Sequence, residues 1–267
     1  MEFTTAELAI TQSPRARFEP LAWPLELYRE GVERVRRLGV WKPTGTYPLR
    51  LQRYWYVASV MQQELKRHPR PCTVLDLGSE KGLTRAFCLL DVESRWVGID
   101  NSARRVERLR KLYDEVYCSD LNEPLPVSNS RADFVVFLHV IEHLNDPDHA
   151  LREVHRVLKP GGLLIAASPV LPKLLALARQ AQFRREFRMG RRRPGDHVSV
   201  FWQRRWESAL ARHGLECEMV CGGYFLRSAY NPLENLSWWV RFNQLWGKAF
   251  LSLSNEIFLV ARKPAQG

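Results

Sequence analysis

The stretch Thr73–Gly82, TVLDLGSEKG, constrains this chain most. Val74, Leu75, Asp76 and Leu77 place mostly β-favouring apolar groups directly ahead of a glycine turn, the pattern of a buried strand running into a loop. Gly78 and Gly82 bracket a short turn, and Leu83 to Leu90 reads as a helix leaving it. A strand, a glycine turn and a helix start bring backbone N–H groups close to any ligand resting there.

The same alternation continues downstream. Strands are expected at Arg95–Ile99, Glu115–Cys118, Asp133–Leu138 and Leu163–Ala167, with helices at Ser102–Leu112 and Asp146–Leu158 between them. The near-continuous apolar run DFVVFL belongs to a strand buried on both faces. Repeated strand–helix–strand units imply a parallel sheet covered on both sides, a doubly wound α/β fold. Ahead of this, Pro24–Leu38 and the periodic set Leu51, Tyr54, Trp55, Ala58, Met61 and Leu65 read as two helices. Residues 1–70 are thus a helical extension. Residues 1–20 show no period and are expected to be loosely held. Trp41–Tyr56 is a candidate lid, with core packing of its aromatics as the alternative. After strand five come a helix at Gln203–His213 and strands at Leu215–Val220 and Glu256–Ala261.

Three acids fall at or near carboxyl ends of strands, where open parallel sheets hold ligands. Asp76 lies one residue short of the end of strand one, Asp100 ends strand two, and Asp120 follows strand three. A carboxylate ending strand two suits ribose hydroxyls, and one after strand three can reach an exocyclic amine. A nicotinamide dehydrogenase would carry G-x-G-x-x-G, whereas this chain has G-S-E-K-G; no phosphate-cradling G-x-x-x-x-G-K-[ST] is present.

These residues resemble the class I S-adenosylmethionine-dependent methyltransferases, most nearly the small-molecule subgroup that includes quinone-biosynthesis enzymes. VLDLGSEKG resembles the family's first motif, VGIDNS its second strand end, CSDLNEPLPVSNSRADFVVFLHVIEHL the run through strand four, and LREVHRVLKPGGLLIAASP the next helix and strand. The resemblance is strong over 72–169 and weaker over 195–220 and the last strand. It implies a Rossmann-like, mostly parallel seven-stranded sheet with an antiparallel last strand, a methyltransferase domain over 71–263, and S-adenosyl-L-methionine as cofactor. It further implies that Asp76, Gly78, Ser79, Gly82, Asp100, Asn101, Asp120, Leu121, Leu138 and His139 bind that cofactor. Glu80 departs from the pattern, standing where the family has a second glycine. The expected accommodation is an ordinary backbone conformation with the side chain pointing outward; the alternative is weakened cofactor binding.

His139 and His197 are the candidate catalytic bases, because unperturbed histidine titrates near neutral pH. HVIEH is not the H-E-x-x-H zinc motif, and no metal is expected there.

The chain carries 40 Lys and Arg against 29 Asp and Glu, a net +11 that favours anionic partners. Segment 171–193 concentrates Lys173, Arg179, Arg184, Arg185, Arg188, Arg191, Arg192 and Arg193, with an apolar side at Leu174, Leu177, Ala178 and Ala181. An aromatic-rich insertion spans 222–254. Together, 171–193 and 230–250 point to an acidic membrane surface or to a phosphorylated, carboxylated or lipid-linked small acceptor. A non-catalytic binding module and a nucleic-acid methyltransferase are the alternatives; no base-reading module is recognisable, so nucleic acid is not expected. The five cysteines read as reduced and buried. The start lacks a secretory pattern, and no apolar run reaches the ~20 residues of a membrane span. The expected location is cytoplasmic, peripheral at a membrane.

Overall fold

The computed structural model describes residues 18–191, 196–223, 225 and 232–265. The N-terminal stretch 1–17, Arg192 and Arg193 of the basic segment, and Tyr224 and 226–231 of the insertion lie outside the described residues.

Seven strands form one sheet in the order β3-β2-β1-β4-β5-β7-β6. They are β1 (Cys72–Leu77), β2 (Ser94–Asp100), β3 (Glu115–Cys118), β4 (Ala132–Leu138), β5 (Leu158–Pro169), β6 (Glu216–Gly222) and β7 (Glu256–Arg262). The first five run parallel; β7 lies antiparallel between β5 and β6. This is the expected doubly wound, seven-stranded arrangement with a reversed last strand. Strand order reverses between β1 and β4, which opens a crevice beyond their carboxyl ends.

Strand alternation divides the core in two. Val74, Phe134, Val136, Leu163 and Ile165 face one layer, and Leu75, Val135, Phe137, Leu164 and Ala166 face the other. The first layer is covered by α1 (Leu25–Arg37), α2 (Gln52–Arg67) and α3 (Leu83–Phe87). The second is covered by α5 (Pro147–Val157) and α7 (Gln203–Arg212). α4 (Ala103–Leu109) follows β2, α6 (Lys173–Arg188) follows β5, and α8 (Ser237–Ala249) lies in the connection from β6 to β7.

Boundaries follow the local chemistry. Asp146 caps α5 by accepting the His149 N–H at 2.9 Å, and Pro147 occupies the first turn. α3 stops at Phe87 rather than Leu90, and α4 spans Ala103–Leu109 rather than Ser102–Leu112. β5 begins five residues earlier than its apolar run, because Leu158 already pairs with Ala132 across a bulge.

The N-terminal helices share the sheet's core. Tyr28 stacks on Trp55 at 5.0 Å, and Tyr56 stacks on Phe258 of β7 at 4.2 Å. Burying such aromatics contributes about 1.5–3 kcal/mol each.

Leu174, Leu177, Ala178 and Ala181 of α6 are all exposed, so this apolar side faces outward, while Ala176 and Phe183 seat the helix against Val200. The expectation of buried cysteines fails in part. Cys118, the last residue of the edge strand β3, is exposed, because that edge has no neighbour; all five cysteines are free thiols.

Candidate functional site: a cavity at the strand-order reversal

A cavity of about 590 Å³ opens at the carboxyl ends of β1, β2 and β4. Asp76, Gly78, Ser79, Asp100, Asn101, Asp120, Leu121, Leu138 and His139 line it, so nine of the sequence-assigned residues meet in one place. Gly82 and His197 are not among the lining residues.

One wall is the turn after β1. Gly78 and Ser79 both donate their backbone N–H to the Ile99 carbonyl, at 2.8 and 3.0 Å, which ties the turn to the end of β2. Gly78 has φ +72°, and a Cβ there would sit 2.4 Å from the Val140 methyl Cγ2. Gly82 (φ +73°) starts α3 in the same left-handed region. Glu80 is exposed, as expected, but its backbone is not ordinary: φ is 45°. The turn keeps its left-handed step without glycine because the Glu80 N–H donates to Asp100 Oδ2 at 3.0 Å, which helps to offset the steric cost.

The acids differ in state. Asp100 is buried and accepts from Glu80 N–H and, at 2.9 Å, from Ser102 N–H, with Arg105 3.4 Å away. Asp120 is exposed and accepts from Asn122 through one oxygen. Asp76 is fully inside, and the Tyr113 hydroxyl donates to it at 2.5 Å. Burial pushes the Asp76 carboxyl up to about 7, against the lowering effect of the Tyr113 and Thr84 hydrogen bonds.

The other wall comes from distant parts of the chain. His139 has φ 55°, and its N–H donates to the Ala167 carbonyl at 2.8 Å. Its Nε2 lies 2.6 Å from Glu256 Oε1, and its Nδ1 lies 3.5 Å from Glu142 Oε1. Glu256 also pairs with Arg53 at 3.3 Å. Desolvation pulls the His139 imidazole down, but the Glu256 and Glu142 carboxylates outweigh it and hold it above its usual range. Arg53 and Tyr54 of α2 line the cavity too; burial raises the Tyr54 phenol to about 12, so it stays protonated.

Beyond His139 the chain makes a 3-10 turn over Ile141–His143. The Val198 and Ser199 N–H groups donate to the Glu142 carbonyl at 2.7 and 3.0 Å. This clamps the 196–199 loop over the turn and brings the His197 ring to 4.7 Å from that of His143, which lines the cavity. Burial lowers the His197 imidazole below its usual range.

The family model described as a methyltransferase domain matches residues 49–220, more than half of the chain. The chain belongs to this methyltransferase-domain family. Among curated relatives, a probable S-adenosylmethionine-dependent methyltransferase of Mycolicibacterium smegmatis is 32% identical over 120 residues, 44% of this chain and 46% of that protein. A ubiquinone biosynthesis O-methyltransferase of Chelativorans is 29% identical over 159 residues, 51% of this chain and 60% of that protein. The chain thus spans about half the length of the curated relatives it matches. The crystal structure of the YcgJ protein from Bacillus subtilis superposes with a TM-score of 0.50 at 15% identity, covering 79% of this chain and 99% of that one, a likeness of fold.

Sequence reasoning missed Arg53, Tyr54, His143 and Glu256. Arg53 and Tyr54 sit in a helix whose aromatic period reads as packing. Glu256 is the first residue of the last strand and carries no local signal. His143 was visible within HVIEH, but nothing in the linear order brings His197 beside it.

Proposed function

We propose that this chain is an S-adenosylmethionine-dependent methyltransferase acting on a small, anionic or lipid-linked acceptor. The observation that carries the reading is the meeting of Asp76, Asp100 and Asp120, from three successive strand ends, at one cavity. The cradle fits such a cofactor: Gly78 leaves open backbone where a side chain would collide, and the acids are spaced along the crevice. Asp100 would accept the ribose hydroxyls, Asp120 and Leu121 would frame the adenine, and Gly78 and Ser79 would meet the methionine part. When bound, the cofactor supplies a methyl group already activated on a sulfonium. The work left to this chain is alignment of the acceptor and exclusion of water. Tyr54 serves that end as a hydrogen-bond donor; His139, committed to Glu256 at 2.6 Å, shapes the wall rather than abstracting a proton.

The acceptor class is argued from the rim. α6 follows β5, and α8 lies between β6 and β7, so both emerge at the sheet end that holds the cavity. On α6, Leu174 is 80% and Phe187 72% exposed beside Arg179, Arg184, Arg185 and Arg188; on α8, Trp238 is 55% exposed. Exposed apolar groups interleaved with Arg suit an anionic, lipid-bearing acceptor held at an acidic bilayer surface. Among the described residues no helix is long and apolar enough to cross a membrane.

Calorimetry with S-adenosylmethionine and S-adenosylhomocysteine tests the core of this reading. Binding should be stoichiometric, and Asp100→Ala should weaken it at least about 10–100-fold, the loss of hydrogen bonds to a charged group, with the fold intact. Absence of heat with either ligand would favour a non-catalytic module whose site Glu80 has compromised. Co-sedimentation with phosphatidylserine vesicles, reduced by added salt, tests the rim; equal recovery with neutral vesicles would remove the electrostatic part. Steeply salt-dependent binding to RNA would instead favour a nucleic-acid acceptor.

A further inference from the structure

Glu142 carries an unusual burden. It is 2% exposed, and among the described residues neither carboxylate oxygen has a hydrogen-bond partner; His139 Nδ1, 3.5 Å away, is too far to serve as one. A buried carboxylate left this way is destabilising unless a cation or a donor reaches it. Beside it stand the His143 and His197 imidazoles, and one ligand atom from each of the three residues lies within 4.8 Å of the others.

We infer that Glu142, His143 and His197 form a binding site for a divalent transition-metal ion of the Zn²⁺ type. The donor set is two neutral imidazoles and one carboxylate, a combination that holds zinc with a coordination position left open. Metal–ligand bonds of about 2.0–2.2 Å put tetrahedral ligand atoms roughly 3.4 Å apart. His197 is exposed on its loop and can rotate inward to close that difference, whereas Glu142 is fixed in the interior. Two further features suit the site. The His143 Nδ1 lies 3.4 Å from the Asp196 carbonyl, which leaves Nε2 for the ion. His139, held by Glu256, faces Glu142 at 3.5 Å as an electrostatic neighbour rather than a hydrogen-bond partner, which leaves the carboxylate oxygens for the ion. Since His143 borders the cavity, the open position would receive an oxygen of an acceptor entering there. Spacing within HVIEH argues against a metal only while its own five residues are counted; the third ligand arrives from 54 residues beyond His143.

The test uses the full chain after treatment with a chelator, titrated with Co²⁺ and followed by visible absorption, with Zn²⁺ displacing it and Mg²⁺ as a control. The expected result is one Co²⁺ per chain with the intense band of tetrahedral coordination, no competition by Mg²⁺, and at least a tenfold weakening in both Glu142→Gln and His197→Ala. His197→Ala changes an exposed loop residue, so its fold should be unaltered by melting temperature. No stoichiometric Co²⁺ binding, or wild-type affinity in His197→Ala, overturns the site. S-adenosylhomocysteine binding measured on the same samples separates this outcome from the fate of the proposed function: either can fail while the other stands.

Discussion

The two walls of the cavity are built by different means. The wall after β1 and β2 is local: Gly78, Ser79, Glu80, Asp100 and Ser102 satisfy one another through backbone N–H groups over at most about two dozen residues. The wall around His139 is long-range: His139 meets Glu256 across 117 residues, and Glu256 meets Arg53 across 203. The local wall holds its carboxylates by fixed backbone dipoles and leaves lone pairs for a ligand. The distant wall spends its charges on one another, so it is rigid and intolerant of any single loss. Recognition of the cofactor is accordingly argued for the first wall, and orientation for the second.

The largest expected effect lies in the distant wall. Glu256→Gln removes the anion shared by His139 and Arg53 and should destabilise the chain by about 3–5 kcal/mol, as breaking buried ion pairs does. Chemical denaturation measures it; a loss under about 1 kcal/mol would mean that this wall is no more charge-dependent than an exposed pair.

Next is Gly78→Ala in the local wall. A left-handed Cβ pressed on Val140 should cost roughly 2–4 kcal/mol and abolish detectable cofactor binding. Normal affinity in calorimetry would show that the turn does not need the bare backbone.

Asp76 adds a pH-dependent contrast. Its folded value of about 7 exceeds the ordinary 3.8, so its contribution to stability is fully present below about pH 3.8 and is lost as pH rises through about 7. Asp76→Asn cannot ionise. Relative to wild type it should gain stability progressively over that window, by up to about 4 kcal/mol at about 1.4 kcal/mol per unit. Melting curves at several pH values decide this; a constant difference would contradict the buried, proton-retaining carboxyl.

The smallest effect is expected from Glu80→Gly. Glycine at φ 45° relieves about 1 kcal/mol of strain, so the melting temperature should rise by a few degrees with cofactor affinity changed less than about fivefold. A larger gain in affinity would show that Glu80 weakens the site.

The pattern of what could be read in advance follows the same division. Alternating apolar runs, the glycine turn and the acids at strand ends were enough to assign a doubly wound sheet and to single out Asp76, Gly78, Asp100 and Asp120, because strand period, turn conformation and the strand-end position of ligands are short-range properties; Ser79, Asn101, Leu121, Leu138 and His139 came only from the resemblance to the methyltransferase family. Helix ends were misjudged by a few residues, as at Leu83–Phe87, where the backbone turns extended at Cys88 (φ −78°, ψ 122°). Which residues of α6 meet the rest of the molecule, Ala176 and Phe183 against Val200, is something no helical period records.

Chain order alone settles a doubly wound sheet whose successive strands end in carboxylates, since each such feature depends on neighbours a few bonds away. Folding alone decides that Glu256 neutralises His139, that Arg53 and Tyr54 close the cavity, and that His197 comes to rest beside His143 and Glu142. Those contacts join residues dozens to hundreds of positions apart, and only the packing of β7, α2 and the 196–199 loop onto the sheet brings them within reach.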